Sequence, residues 1–295
     1  MADLYDLLDE QRRQLGTLDR VAAGQMGTAY ARLLAQAHTD LDAFDRKLES
    51  WQAAHPSMDP RGSSPSRHWV FQQDRYQQLV EHLQVNGEFY AKVSSGAIAS
   101  AQDGAMRLVQ MDHEKLMRQA LGGGEKAQHA ISFATLPEEA IAAVVGFSSN
   151  GTPLDTLLRQ RAFTAKTNAA ATLVDGVAFG RSPKAVATTL DSQLNEMHWQ
   201  NLRVARTEMM RAYREGQRVN MLQNASVLSG WRWSSAADRR TCPVCMSQHG
   251  KVFPIQQVKP SDVPPDTAQH QGLGDLLARP PVGGGATIEK NAVTT

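Results

Sequence analysis

The two cysteines of this 295-residue chain stand two residues apart in "DRRTCPVCMSQHGKVF", Asp238 to Phe253. Cys-x2-Cys is the spacing at which a tight backbone turn supports two metal-bound thiolates. A closed zinc site needs four ligands, however, and the chain has no third cysteine. His249, in Cys-x2-Cys-x3-His, and His270 are the downstream imidazoles that remain. A redox dithiol is a second reading of the pair, but it asks for a strand before and a helix after the motif, and no such pattern surrounds it. A tight turn carrying two idle thiols is the third. The acidic start "MADLYDLLDEQ" is the reverse of a secretory leader. It points to folding in a reducing cytoplasm, where thiols or metal ligands are expected rather than a disulfide.

A second stretch with chemistry to offer is "NLRVARTEMMRAYREGQR", Asn201 to Arg218. On a helix Arg203, Arg206, Arg211, Arg214 and Arg218 fall within about 140° of one another. Such a stripe can lie along phosphates. Glu208 and Glu215 lie within helical reach of Arg211, so the same residues also read as a solvated face with short-range ion pairs. The net charge of +1 gives no global argument for nucleic acid. Its distribution is uneven: residues 1–60 carry six basic side chains against ten acidic, and residues 181–260 carry twelve against five. Catalytic signatures are missing. There is no G-x-S-x-G and no H-E-x-x-H, and "GGGEK" at Gly122 lacks the strand before it and the Lys-Ser/Thr ending of a phosphate cradle. Nothing nominates an enzyme.

The elements that must position these residues read as helices. Hydrophobic residues make up 41% and aromatics 6% of the chain, and the apolar content is mostly Ala, Leu, Val and Met. These residues suit helices more than sheets. Residues 3–52 read as one or two helices, with Tyr30, Leu33, Ala37, Leu41, Phe44, Leu48 and Trp51 in one stripe. Pro, Gly and Ser in "HPSMDPRGSSPSRH" break the pattern at 55–68. A second helical region follows, with Asn86-Gly87 expected to interrupt it. "GGGE" at 122–125 ends that region, and "GFSSNGTP" at 146–153 marks a boundary near residue 150.

Beyond the boundary a helix is expected to stop at Gly180. Ser182 then offers an N-cap oxygen, and Pro183 fits the first helical position, where its missing N–H had no partner anyway. A further long helix is expected from about 195 to 223, packing along Leu202, Ala205, Met209, Ala212, Tyr213 and Gly216. After Lys259 the composition turns to Pro, Gly, Ala and Thr, as in a flexible tail. The expected architecture is mainly α. It has a helical N-terminal region for docking (1–150), a helical domain (151–258) ending in a small β-hairpin-like Cys knuckle, and a tail (259–295). No apolar run is long enough to cross a bilayer.

In order, "VDGVAFGRSPKAVATTL", "RVARTEMMRAYREGQ" and "WRWSSAADRRTCPVCMSQHGKVF" resemble the phage head morphogenesis domain, the Mu F-like minor head proteins of tailed bacteriophages. The resemblance covers roughly residues 150–255. It rests on Gly180 and Ser182 before a helix, the "ARTE" run Ala205 to Glu208 with Gly216 downstream, Trp231 or Trp233, and Asp238. It then takes in Arg240, Thr241, Cys242, Pro243 and Cys245, followed by Gly250, Lys251 and Phe253. Many such proteins close the domain with "P-x-x-HP-x-CRC", whose His and Cys would complete a ligand set. Here the matching region, "VPPDTAQHQGLGDLLARPP", keeps Pro264, Pro265 and His270 but no cysteine.

The resemblance implies a minor capsid component present in few copies in the virion and in the host cytoplasm during assembly. It would act in head morphogenesis and DNA packaging, with the portal and other head proteins as partners and phage DNA in contact with Arg203, Arg206, Arg211, Arg214 and Arg218. It implies a structural motif of Arg206, Glu208, Trp231, Asp238, Arg240, Cys242 and Cys245; from their charges and positions, Arg206, Glu208, Asp238 and Arg240 are expected to form a network tying the Cys hairpin to the "ARTE" helix. No cofactor is expected, and zinc on Cys242, Cys245, His249 and His270 is the one exception the residues allow. The alternatives are a nuclease-like metalloenzyme using the Cys/His cluster, or a scaffold or ejected internal protein.

Overall fold

A computed structural model of the chain describes residues 4–56, 65–121, 136–225, 228–234, 243–254 and 285–290. Helices dominate. Helix α1 runs from Leu4 to Ala54, α2 from Arg67 to Phe71, α3 from Asp74 to Leu121, α4 from Glu138 to Ala142, α5 from Leu154 to Ala178, α6 from Pro183 to Gln223 and α7 from Pro243 to Gln248. Strands β1 (Leu228–Ser234), β2 (Val252–Pro254) and β3 (Gly285–Lys290) form one antiparallel sheet in the order β2-β1-β3. Gly230 faces Pro254 across the β1–β2 pair, and a Cβ there would sit 2.7 Å from the carbonyl oxygen of Phe253. Only glycine lets the two backbones pair at that point.

The expected stripe on α1 is buried: Leu33, Ala37, Leu41 and Phe44 lie in the core, and Phe44 is fully enclosed. Complete burial of one such ring stabilises by about 2 kcal/mol. The expected face of α6 is buried too, from Leu202 through Tyr213. The local signals hold where they were strongest. Gly180 follows α5 at φ 67°, the left-handed conformation that ends helices, and Arg181 N–H donates to Gly176 O at 2.8 Å. The Ser182 hydroxyl accepts from Ala185 N–H at 3.3 Å, with Pro183 opening α6. Ser66 caps α2 in the same way, accepting from Trp69 N–H at 3.2 Å.

Two expected breaks are absent. Helix α3 runs through Asn86-Gly87 because the Asn86 side chain donates back to His82 O at 2.9 Å and accepts from Arg32 Nε at 3.2 Å. Ala162 packs beside Gly87, its Cβ 3.5 Å from where a Cβ on Gly87 would be, an ordinary van der Waals distance. Likewise 183–223 is one helix rather than two, since Leu190, Leu194, Met197 and Asn201 continue a single buried face across the expected break.

Packing divides the chain into two compact units, each drawn from separated stretches. Unit 1 takes residues 1–21, 98–151 and 205–295; unit 2 takes 22–97 and 152–204. The interior of unit 1 includes Leu15, Ile98, Met106, Val109, Met209 and Ala212, and that of unit 2 includes Met26, Phe44, Leu79, Leu158, Leu173 and Leu190. Among the described residues no helix is long and apolar enough to cross a membrane.

Candidate functional site

A carboxylate taken out of water is costly unless it is paired and hydrogen-bonded. Glu208 on α6 is 3% exposed, and both its oxygens are occupied. Oε1 accepts from Ser149 N–H at 2.9 Å, and Oε2 accepts from Arg211 Nε, one turn along, at 2.6 Å. Arg211 then donates through Nη2 to the carbonyls of Val144 at 3.2 Å and Phe147 at 2.7 Å. From α3 the fully buried Gln102 donates to the same Phe147 carbonyl at 3.0 Å and accepts from Gly146 N–H at 2.9 Å. The stretch that reads as a linker in the sequence is therefore a loop held by its main chain inside unit 1. Sequence could not reveal this, because Gln102 and Glu208 lie 45 and 59 residues from the loop positions they hold.

Arg206 is paired separately. Its Nε donates to both carboxylate oxygens of Asp19 on α1, at 3.2 and 3.1 Å, also within unit 1. Arg218 binds Glu215 at 2.9 Å through Nε. The side chains of Arg206, Arg211 and Arg218 keep only 20%, 23% and 21% of their surface exposed. The structure does not present the open five-arginine stripe drawn from helical angles: three of its members are turned onto carboxylates. Arg203 is exposed and Arg214 half-buried.

Of the remaining motif residues, Trp231 lies on β1 opposite Phe253 of β2. Cys245 lies in α7, which Pro243 opens, and His249 is exposed just after that helix, its N–H donating to Met246 O at 3.1 Å. Asp238, Arg240, Cys242 and His270 lie outside the described residues. Among the described residues no group of three or more His, Cys, Asp or Glu is placed to hold a metal ion.

Unit 2 holds a polar cluster that the sequence reading missed. His198 stacks on Tyr30, with ring centroids 4.3 Å apart, and its Nδ1 is 2.8 Å from the Tyr90 hydroxyl. Tyr30 donates to Asn195 Oδ1 at 2.7 Å; Asn201 donates to Tyr90 at 3.5 Å and accepts from Arg161 at 3.2 Å. Burial pushes Tyr30 up to about 12, with the charge of Asp191 adding to it, and holds His198 below its ordinary value. His82 meets Asp40 at 2.9 Å, and His38 meets Asp191 at 2.6 Å. The only signal available was Tyr30 and Tyr90 on apolar faces, which reads as plain core. A cavity of about 320 Å³ between α3 and α5 is lined by Leu83, Glu88, Arg159 and Phe163 among others. Its polar rim is closed on itself: Lys166 donates to Gln84 and Gln84 to Glu88, each at 2.6 Å. The geometry around Arg206, Glu208 and Arg211 is thus that of a clasp, in which charged side chains hold main chain and one another.

Residues 167–269 match the family model described as phage Mu protein F like protein. The match bears out the resemblance carried by the motifs; it begins inside α5 and takes in the whole of α6 and the Cys-x2-Cys segment. No curated protein and no solved structure matches the chain.

Proposed function

We propose that this chain is a minor head protein of a tailed bacteriophage, a structural component that acts in head morphogenesis at or near the portal. The match over residues 167–269 carries the reading. In this reading residues 1–150 dock on other head proteins, 151–258 form the head morphogenesis domain with the Cys-x2-Cys segment as a structural knuckle, and 259–295 form a tail. Its place is the virion, reached from the host cytoplasm during assembly. Contact with packaged DNA belongs to the proposal, with Arg203 the most open of the five arginines to carry it.

Purified, DNA-filled particles test the reading. The protein is expected in them at a fixed, low stoichiometry to the portal protein. Its loss from mature particles, with presence in procapsids, would favour a scaffold. Elemental analysis of the purified chain decides whether zinc is bound. Metal-dependent cleavage of DNA that Cys242→Ser abolishes would replace the structural reading with the nuclease-like one.

A further inference from the structure

Helices α5 and α6 lie antiparallel in unit 2. Val186 packs on Gly176, Gln193 donates to the Thr172 hydroxyl at 2.9 Å, and Arg161 donates to Asn201 Oδ1 at 3.2 Å, so α6 advances as α5 runs back. That register sets Arg161 level with residues 201–204. Arg203 falls in this stretch, and burial first and its charge second hold the Arg161 guanidinium below its ordinary value. A guanidinium stays charged all the same. Two like charges are therefore held close together, Arg203 exposed and Arg161 half-buried.

Their charge is not compensated. Arg159, Arg206, Arg211 and Arg218 each bind a carboxylate, whereas among the described residues neither Arg161 nor Arg203 is paired with one. Nearby acids are engaged elsewhere. Glu196, two turns before Arg203, accepts from Gln200 at 2.7 Å, and Glu88 of α3 accepts from Gln84 and acts on Arg159. Arg161 is also held in position, because the Asn201 that receives it is fully buried.

One turn before Arg203, on the same face of α6, stands Trp199, 57% exposed. An indole in water beside two uncompensated guanidiniums has the composition of the centre of a protein–protein interface, where Trp and Arg carry much of the binding energy. DNA suits the place less well. A duplex carries a charge about every 1.7 Å of its axis and rewards a long row of cations. Here there are two, Glu196 follows on the same helix, and a phosphate backbone would leave the indole unused.

We infer that Arg161, Arg203 and Trp199 form a docking site for an acidic segment of another protein. One Asp or Glu carboxylate bridges the two guanidiniums, and an apolar side chain next to it covers the indole. The site lies outside residues 1–150, the region given to docking above, and does not depend on the head-protein reading. Arg203 is also the arginine most open to DNA, so the two uses compete for one side chain.

The test uses the full chain and an array of short acetylated peptides that combine Asp or Glu with Leu, Ile, Phe or Met, beside copies with Asn or Gln in place of the acids. Acidic peptides should be retained and their amide copies released. Binding should weaken roughly tenfold in Arg203→Gln, in Arg161→Gln and in Trp199→Ala. It should be unchanged in Arg159→Gln, whose guanidinium already holds Asp155. No retained acidic peptide, equal retention of the amide copies, or binding that survives Arg203→Gln overturns the proposal. So does a short DNA duplex that binds more tightly than any acidic peptide and loses that affinity in Arg203→Gln, which would assign the pair to phosphate. Arg203 is exposed, so its variant decides if Arg161→Gln fails to fold.

Discussion

Unit 2 and unit 1 both bury polar side chains among long helices, yet they treat them differently. In unit 2 the Tyr30, Tyr90, His198, Asn195, Asn201 and Arg161 groups are joined in one cluster by hydrogen bonds and by the stacking of His198 on Tyr30. In unit 1 the same kind of interior holds a satisfied clasp around Glu208 and, apart from it, the buried Asp112 carboxyl, whose Oδ2 has no hydrogen-bond partner among the described residues. A satisfied buried network fixes one packing, whereas an unsatisfied one costs about 1–3 kcal/mol per orphaned group. Among the described residues, unit 1 therefore combines a fully paired buried carboxylate, Glu208, with one that is not, Asp112.

The two interiors also respond to acid with opposite signs. His198 is held below its ordinary value in the folded state, so the folded form binds its proton less readily than the unfolded chain; the stability it contributes is lost as pH falls through and below about 6.5. Asp112 is raised from 3.8 to about 6, so the penalty of its buried charge is present above about pH 6 and fades as pH falls toward 4. Asp45 in unit 2, raised to about 6 by burial with Asp42 and Glu49 beside it, works against His198. The contrast is therefore best read from single variants.

The largest effect is expected from Glu208→Ala, which strands the Arg211 charge and the Ser149 N–H. The loss should be about 3 kcal/mol in urea titration, and a change within error would remove the clasp as a stabilising element. Next comes Asp112→Asn, which should stabilise the chain by about 2 kcal/mol at pH 8, with a gain that shrinks as pH falls toward 4. Equal midpoints for parent and variant at pH 8 would put the two polar interiors on the same footing. Tyr90→Phe in unit 2 should cost about 1 kcal/mol, because His198 and Asn201 lose a partner in a packed site. Thermal melting at pH 7 checks this, and no loss would mean that the cluster is held by ring packing alone. Arg159→Ala, removing an exposed partner of Asp155, should leave the melting midpoint unmoved.

The helices and their buried faces were legible because each is written in local periodicity: the α1 stripe, the α6 face, the Ser182 cap and the stop at Gly180. Asn86-Gly87 was misleading because a turn signal says nothing of Arg32 or Ala162, which come from other helices and satisfy or fill the position. At the candidate site the sequence offered residue types and not their partners. "ARTE" singled out Arg206 and Glu208, but their partners Asp19 and Ser149 lie 187 and 59 residues away, and no spacing rule reaches that far. The partners of the arginine stripe were hidden for a related reason: a helical angle gives the direction of a side chain and not what meets it there.

The loop at 144–149 is gripped through Val144 O, Gly146 N, Phe147 O and Ser149 N, all of them main-chain atoms. A grip of this kind is blind to side-chain identity. Phe147 and Ser149, both exposed, can be exchanged for other residues while Gln102, Glu208 and Arg211 keep the path of the chain. The molecule thus carries a short stretch whose outward chemistry is free to be rewritten on a frame that stays put.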